Sequence, residues 1–357
     1  MKLRRRLRQI VPRALAAAVM LAATLGAAPA SAGPSVWTRA RDPKVNAQEE
    51  TVREAQRAFL RYRRMRIAAG PRAPSVAALM LKDTRMALAR VVESGAADFG
   101  ARLLYADVLR ESRENDAAIE VLKKLLADRP PAPIRADALG DIAILYAMTG
   151  QREHEIRSYT QALEIEPHGL ARSQLLANRA EAMMALGDVT AAIDGYRAAL
   201  APLTTVEMFW RGSTTLFSLG VALDRAGNPE AGMESVRLAR SYDPADKALT
   251  RGTWFFSPPH DEHWYWALGA WTCGRSGSLW ALRAECYERA VAEWEQYIQA
   301  APEGDPWVAL AKVRLAAVKR ERDELKRTFE ARKKAEAQGQ SGGSRESSKG
   351  LRSGFVQ

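Results

Sequence analysis

The chain is poor in the residues that most chemistry needs. Its 357 residues include four histidines and two cysteines. It has no strand-to-helix nucleophile elbow, no phosphate-cradling glycine loop, no C-x-x-C pair and no H-E-x-x-H helix. Sequence therefore assigns no catalytic residue and no cofactor. Sustained apolar/polar alternation is also missing, and this argues against β-strands. Long apolar runs are scarce: after residue 32, none is long enough to span a bilayer.

The apolar run that does occur, "ALAAAVMLAATLGAA", lies near the N terminus. Lys2, Arg4, Arg5, Arg6, Arg8 and Arg13 precede it with no acid among them, and Ala30-Ser31-Ala32 follows with small-x-small spacing. This order reads as a secretory signal peptide over residues 1–32, so the rest is expected in the periplasm or outside the cell.

The same segment accounts for much of the charge. The formal net charge is +11, from 53 Lys+Arg and 42 Asp+Glu. The leader holds six of the basic residues, and 319–357 holds eleven basic against six acidic residues. The body between them is close to neutral, so no nucleic-acid partner is expected.

What is abundant is Ala, Leu, Glu and Arg, with apolar residues recurring at three- and four-residue spacing, the pattern of helices. The breaks between helices recur as well. Gly150, Gly187 and Gly227 lie 37 and 40 residues apart. Tyr159, Tyr196 and Val236 keep those intervals, and so do Ala162, Ala199 and Ala239. One phase across several markers means stacked supersecondary units.

The units resemble the tetratricopeptide repeat family. "LFSLGVALDRAGNPEAGMESVRLARSYDP" carries Leu216, Leu219, Gly220, Leu223, Gly227, Val236, Ala239 and Pro244 in that pattern. "LGDIAILYAMTGQREHEIRSYTQALEIEP" and "LLANRAEAMMALGDVTAAIDGYRAAL" follow it, and so does "LLYADVLRESRENDAAIEVLKKLLADRP", with Arg113 where glycine is usual. The fold class expected is all-α, an α-solenoid of helix-turn-helix repeats over 99–302. Helices over 45–70 and 74–94, within 33–98, form a degenerate repeat or cap. A helix over 303–337 caps the other end and projects from it, and a tail at 338–357 is expected to be disordered. Trp307, Leu310, Val313 and Ala317 are expected to form the buried stripe of that helix.

The resemblance implies a concave groove, lined by the first helix of each pair, that binds a protein or peptide partner. The positions implied are Asp107, Arg110, Ile144, Met148, Asn178, Glu181, Met184, Phe217, Val221 and Trp266. The family's carboxylate-clamp pattern is matched by Asn178 alone, because Gly140, Ile144, Thr214 and Ser218 occupy its other positions. The groove is open either to a partner or to the chain's own N-terminal helix or tail.

Two details stand outside the repeats. In "FFSPPHDEHWYWALG", His260 and His263 could share a helical face and hold a metal. Together with the aromatics around them they offer a rival reading as a glycan site or an enzyme. The simpler reading is a helix start, with Ser257 as N-cap, Pro258 in the first turn, and Asp261 and Glu262 favoured by the helix dipole. The aromatics then fill a core. Cys273 and Cys286 flank a turn placed at "GRSGS". Their offset of roughly 10 Å along the helices, at ~1.5 Å per residue, argues for two separate thiols.

Overall fold

The structure, a computed structural model, describes residues 42–69, 75–95, 97–165, 169–250 and 256–346. The expected leader, Trp254, Phe255 and the end of the tail lie outside these residues. The chain forms two compact units, Met1–Thr51 and Val52–Gln357. Of the first, the start of one helix is described.

The described residues are helical. α1 (Pro43–Ala69) and α2 (Ser75–Glu93) precede five hairpins. These are α3 (Phe99–Glu111) with α4 (Asn115–Ala127), α5 (Ala132–Met148) with α6 (Arg152–Ile165), and α7 (Gly169–Ala185) with α8 (Val189–Leu200). Then come α9 (Ser213–Arg225) with α10 (Pro229–Tyr242), and α11 (Asp261–Ser276) with α12 (Trp280–Ala300). α13 (Val308–Glu346) packs on α12 and runs past residue 337, where the projecting helix was expected to end.

The first four hairpins share one turn. Gly150, Gly187 and Gly227 take left-handed backbone with φ of 73°, 89° and 88°. In each turn the third residue after the helix returns its N–H to a carbonyl five residues back, as in Gln151 to Tyr146 at 2.9 Å and Asn228 to Leu223 at 3.0 Å. Arg113 adopts the same conformation (φ 62°) with the same bond, Glu114 to Leu109 at 2.9 Å. Asp188 and Asn228 then cap the following helices.

Small residues allow the helices of a pair to meet. Ala143, Ala180 and Gly220 face their partner helices, and Ala162, Ala199 and Ala239 are buried behind them. A side chain at Gly220 would place its Cβ 2.8 Å from the Gly232 carbonyl oxygen. Tyr159 and Tyr196 fill the space between units.

The last unit is larger, and aromatics fill it. Trp264, Trp271 and Trp294 are fully buried. Trp264 meets Trp294 edge-on at 4.7 Å and Tyr297 at 5.0 Å. Arg225 stacks over Trp264 at 4.6 Å and pairs with Asp261 at 2.6 Å, both partners buried. The adjacent Asp224 accepts from Trp264 Nε1 at 3.0 Å and pairs with Arg314 of α13 at 2.7 Å. α13 buries Ala311, Arg314 and Val318, and of its expected stripe Trp307, Leu310 and Ala317 pack partly buried against the core, whereas Val313 is 57% exposed.

Cys273 and Cys286 form a disulfide with Cα atoms 5.8 Å apart, contrary to the expectation of separate thiols. The reason is the position of the turn. α11 continues to Ser276 and α12 begins at Trp280, so the turn falls later than "GRSGS" and the two cysteines come nearly level across the hairpin.

Candidate functional site

The first helices of successive hairpins line a cavity of about 730 Å³. Each contributes residues three or four apart, the spacing of one helical face. α3 gives Asp107 and Arg110, α5 gives Asp141, Ile144 and Met148, and α7 gives Gln174, Asn178 and Glu181. α9 gives Thr214 and Ser218. Of the ten groove positions expected, Asp107, Arg110, Ile144, Met148, Asn178 and Glu181 line this cavity.

The other four do not line it. Met184, Phe217 and Val221 are at most 2% exposed and belong to the core. At α9 the shift is one residue: Ser218 faces the cavity and Phe217 faces inward, where it stacks on Tyr265 at 5.7 Å. Tyr265 of the aromatic α11 covers the side of α9 that carries Phe217. Trp266 lies apart from the cavity, with its Nε1 on Glu262 at 3.1 Å and Arg289 over its ring at 5.5 Å.

Charge is sorted along the cavity. Arg63, Arg66 and Arg113 line its α1–α3 end, where Arg66 approaches Glu111 at 3.8 Å. Further in, Arg110 binds both Asp107 and Asp141, the latter at 3.1 Å. Burial and the Asp107 charge push Asp141 up to about 6, against the pull of Arg110. Arg152 pairs with Glu155 at 2.8 Å. Deeper still, burial and the charges of Glu155 and Asp261 push Glu181 up to about 8. Burial pushes the Tyr159 hydroxyl well above its ordinary range, with Asn178 close by pulling the other way. Ser173 and Tyr196 also line the cavity, and their buried hydroxyls lack hydrogen-bond partners; that of Tyr196 approaches Ser218 without meeting hydrogen-bond geometry.

The connection from α10 to α11 also reaches the cavity. Ser257 was expected to cap a helix. Instead it accepts from Arg152 at 2.7 Å and donates to the Ala147 carbonyl at 3.0 Å, while α11 starts at Asp261. Ala248, on the same connection, lines the cavity too. Nothing in the repeat phase pointed to this contact, because it joins residues more than a hundred positions apart.

The two histidines diverge. His260 contacts Asp305 at 2.9 Å and His263 contacts Glu293 at 2.9 Å. Among the described residues, no group of three or more His, Cys, Asp or Glu could hold a metal ion, and no helix is long and apolar enough to cross a membrane.

No family model and no curated protein matches the chain. Solved structures do. The C-terminal part of a TPR repeat-containing protein from Cytophaga hutchinsonii is 12% identical, with a TM-score of 0.45, over 77% of this chain and 95% of that one. YrrB, a TPR protein with an unusual peptide-binding site, is 14% identical with a TM-score of 0.38, over 64% of this chain and 98% of its own. MamA of AMB-1 is 18% identical with a TM-score of 0.37, over 52% and 92%. The chain is an all-α solenoid of stacked helix pairs, and its neighbours among solved structures include tetratricopeptide-repeat proteins.

Proposed function

We propose that this protein is a non-catalytic interaction scaffold or adaptor that holds a protein or peptide partner in its concave cavity. The observation that carries the reading is the cavity itself. Four successive first helices each turn one face to it, and that face mixes apolar Ile144 and Met148 with polar and charged groups. Met148 is 41% exposed, an apolar side chain with no covering residue to bury it.

The site of action in this reading is the periplasm, the cell envelope or the outside of the cell. The basic and apolar leader with its Ala30-Ser31-Ala32 ending supports it. So does the Cys273–Cys286 disulfide, since such bonds persist in oxidising compartments. The rival reading, a metal or glycan site at His260 and His263, has less support, because each ring already meets a carboxylate of its own.

The test is capture of partners from an envelope extract by the wild type and by an Ile144→Glu, Met148→Glu double variant. Both side chains reach the cavity surface, so the fold should survive, and circular dichroism checks that it does. The variant is expected to lose the partners that the wild type retains. Unchanged capture by a folded variant would refute the cavity as the binding surface.

A further inference from the structure

The charges deep in the cavity do not balance. Glu181 is faced from α6 by Arg152, Glu155 and Tyr159, from α8 by Tyr196, from α9 by Arg225, and from α11 by Asp261 and Tyr265. Asp141 lines the same cavity from α5. Each guanidinium in this set already has its own carboxylate. Arg152 holds Glu155, Arg225 holds Asp261, and Arg110 holds Asp141. Glu181 forms no ion pair with any of them.

Glu181 is partly exposed within the cavity, and a carboxylate held there without a counter-charge is less stable in its ionised form than in water. No described group donates a hydrogen bond to the Glu181 carboxylate. The same cavity is lined by two buried hydroxyls without hydrogen-bond partners, those of Ser173 and Tyr196. These residues are 5% and 1% exposed, so neither hydroxyl is free to turn to bulk water. The missing complement is a cation that also donates hydrogen bonds at close range. The volume of about 730 Å³ suits a side chain and the backbone that presents it.

We propose that the cavity is a subsite for the lysine or arginine side chain of an extended peptide, with Glu181 as its counter-charge. The proposal rests on the interaction-scaffold reading and names the partner chemistry that the reading leaves open.

A proton is coupled to this binding. The ligand cation needs Glu181 ionised, whereas in the empty cavity the carboxyl stays protonated up to about pH 8. Below that pH, binding releases one proton, so affinity rises with pH, by up to about tenfold per pH unit.

The experiment is a selection of random linear peptides displayed against the full chain and against Glu181→Gln, which keeps the side chain's shape. The wild type should enrich peptides sharing a Lys or Arg, and Glu181→Gln should not. For a selected peptide, calorimetry should show at least tenfold weaker binding when that residue becomes norleucine. Affinity for the wild type should tighten at least tenfold from pH 6 to 7.5, and affinity for a folded Glu181→Gln should keep only the small change, about twofold, that Asp141 gives as it ionises.

Enrichment of acidic or apolar motifs that an Ile144→Glu variant abolishes would overturn the cation subsite and leave the scaffold reading standing. Enrichment of no peptide would count against both. Agmatine binding as tightly as the selected peptide would overturn the peptide assignment.

Discussion

At the scale of single residues, backbone conformation and buried charge explain more than side-chain identity does. Arg113 sits at φ 62° where its counterparts are glycines, and left-handed backbone costs a β-carbon-bearing residue about 1–2 kcal/mol. Part of that gain is offset by the greater freedom of glycine in the unfolded chain. Arg113→Gly should therefore stabilise the protein by about 0.5–1 kcal/mol in denaturant titrations. A destabilised variant would mean that the Arg113 side chain holds the turn through contacts worth more than the strain. Sequence placed six of the ten groove residues at the cavity, because the face of a regular repeat helix can be read from its phase. It misplaced Phe217, Val221 and Met184, because the side of the helix a neighbour covers is set by the neighbour. Here that neighbour is an enlarged hairpin packed with Trp264, Tyr265 and Trp294.

At the scale of elements, turn glycines and small interface residues were legible, and helix rotations were not. The glycine phase located every hairpin turn from α3 to α10. It failed at "GRSGS", where α11 runs on to Ser276 and leaves the two cysteines level. Three residues of the stripe expected on α13, Trp307, Leu310 and Ala317, pack against the core; Val313 is exposed, and Arg314 beside it reaches inward to Asp224, a charged pair spanning ninety residues that periodicity treats as two solvated side chains. Close helix approach also makes a prediction. At Gly220, a Cβ would stand 2.8 Å from backbone oxygen, which cannot swing aside as a side chain can. Gly220→Ala should cost about 1–3 kcal/mol by forcing α9 and α10 apart. Thermal and chemical denaturation measure it, and a neutral variant would contradict the packing described.

At the scale of the whole molecule, the C-terminal hairpin both closes the stack and extends its core. It is fastened by the Cys273–Cys286 bridge across α11 and α12, by the Arg225–Asp261 pair, and by the reach of Ser257 to Arg152 and Ala147. Cys273→Ser with Cys286→Ser should lower stability by about 2–4 kcal/mol, as measured by unfolding of both forms under non-reducing conditions. An unchanged midpoint would show that aromatic packing alone holds the hairpin. The central claim is that partners enter the concave cavity rather than dock on the outer helices. A photo-cross-linking residue placed at Met148, 41% exposed in the cavity, can be compared with one at Leu238, 46% exposed on α10 and not part of the cavity lining. Equal exposure leaves the face presented as the variable. Cross-linked partner in envelope extract should form from Met148 and not from Leu238; adducts from Leu238 alone would contradict the account.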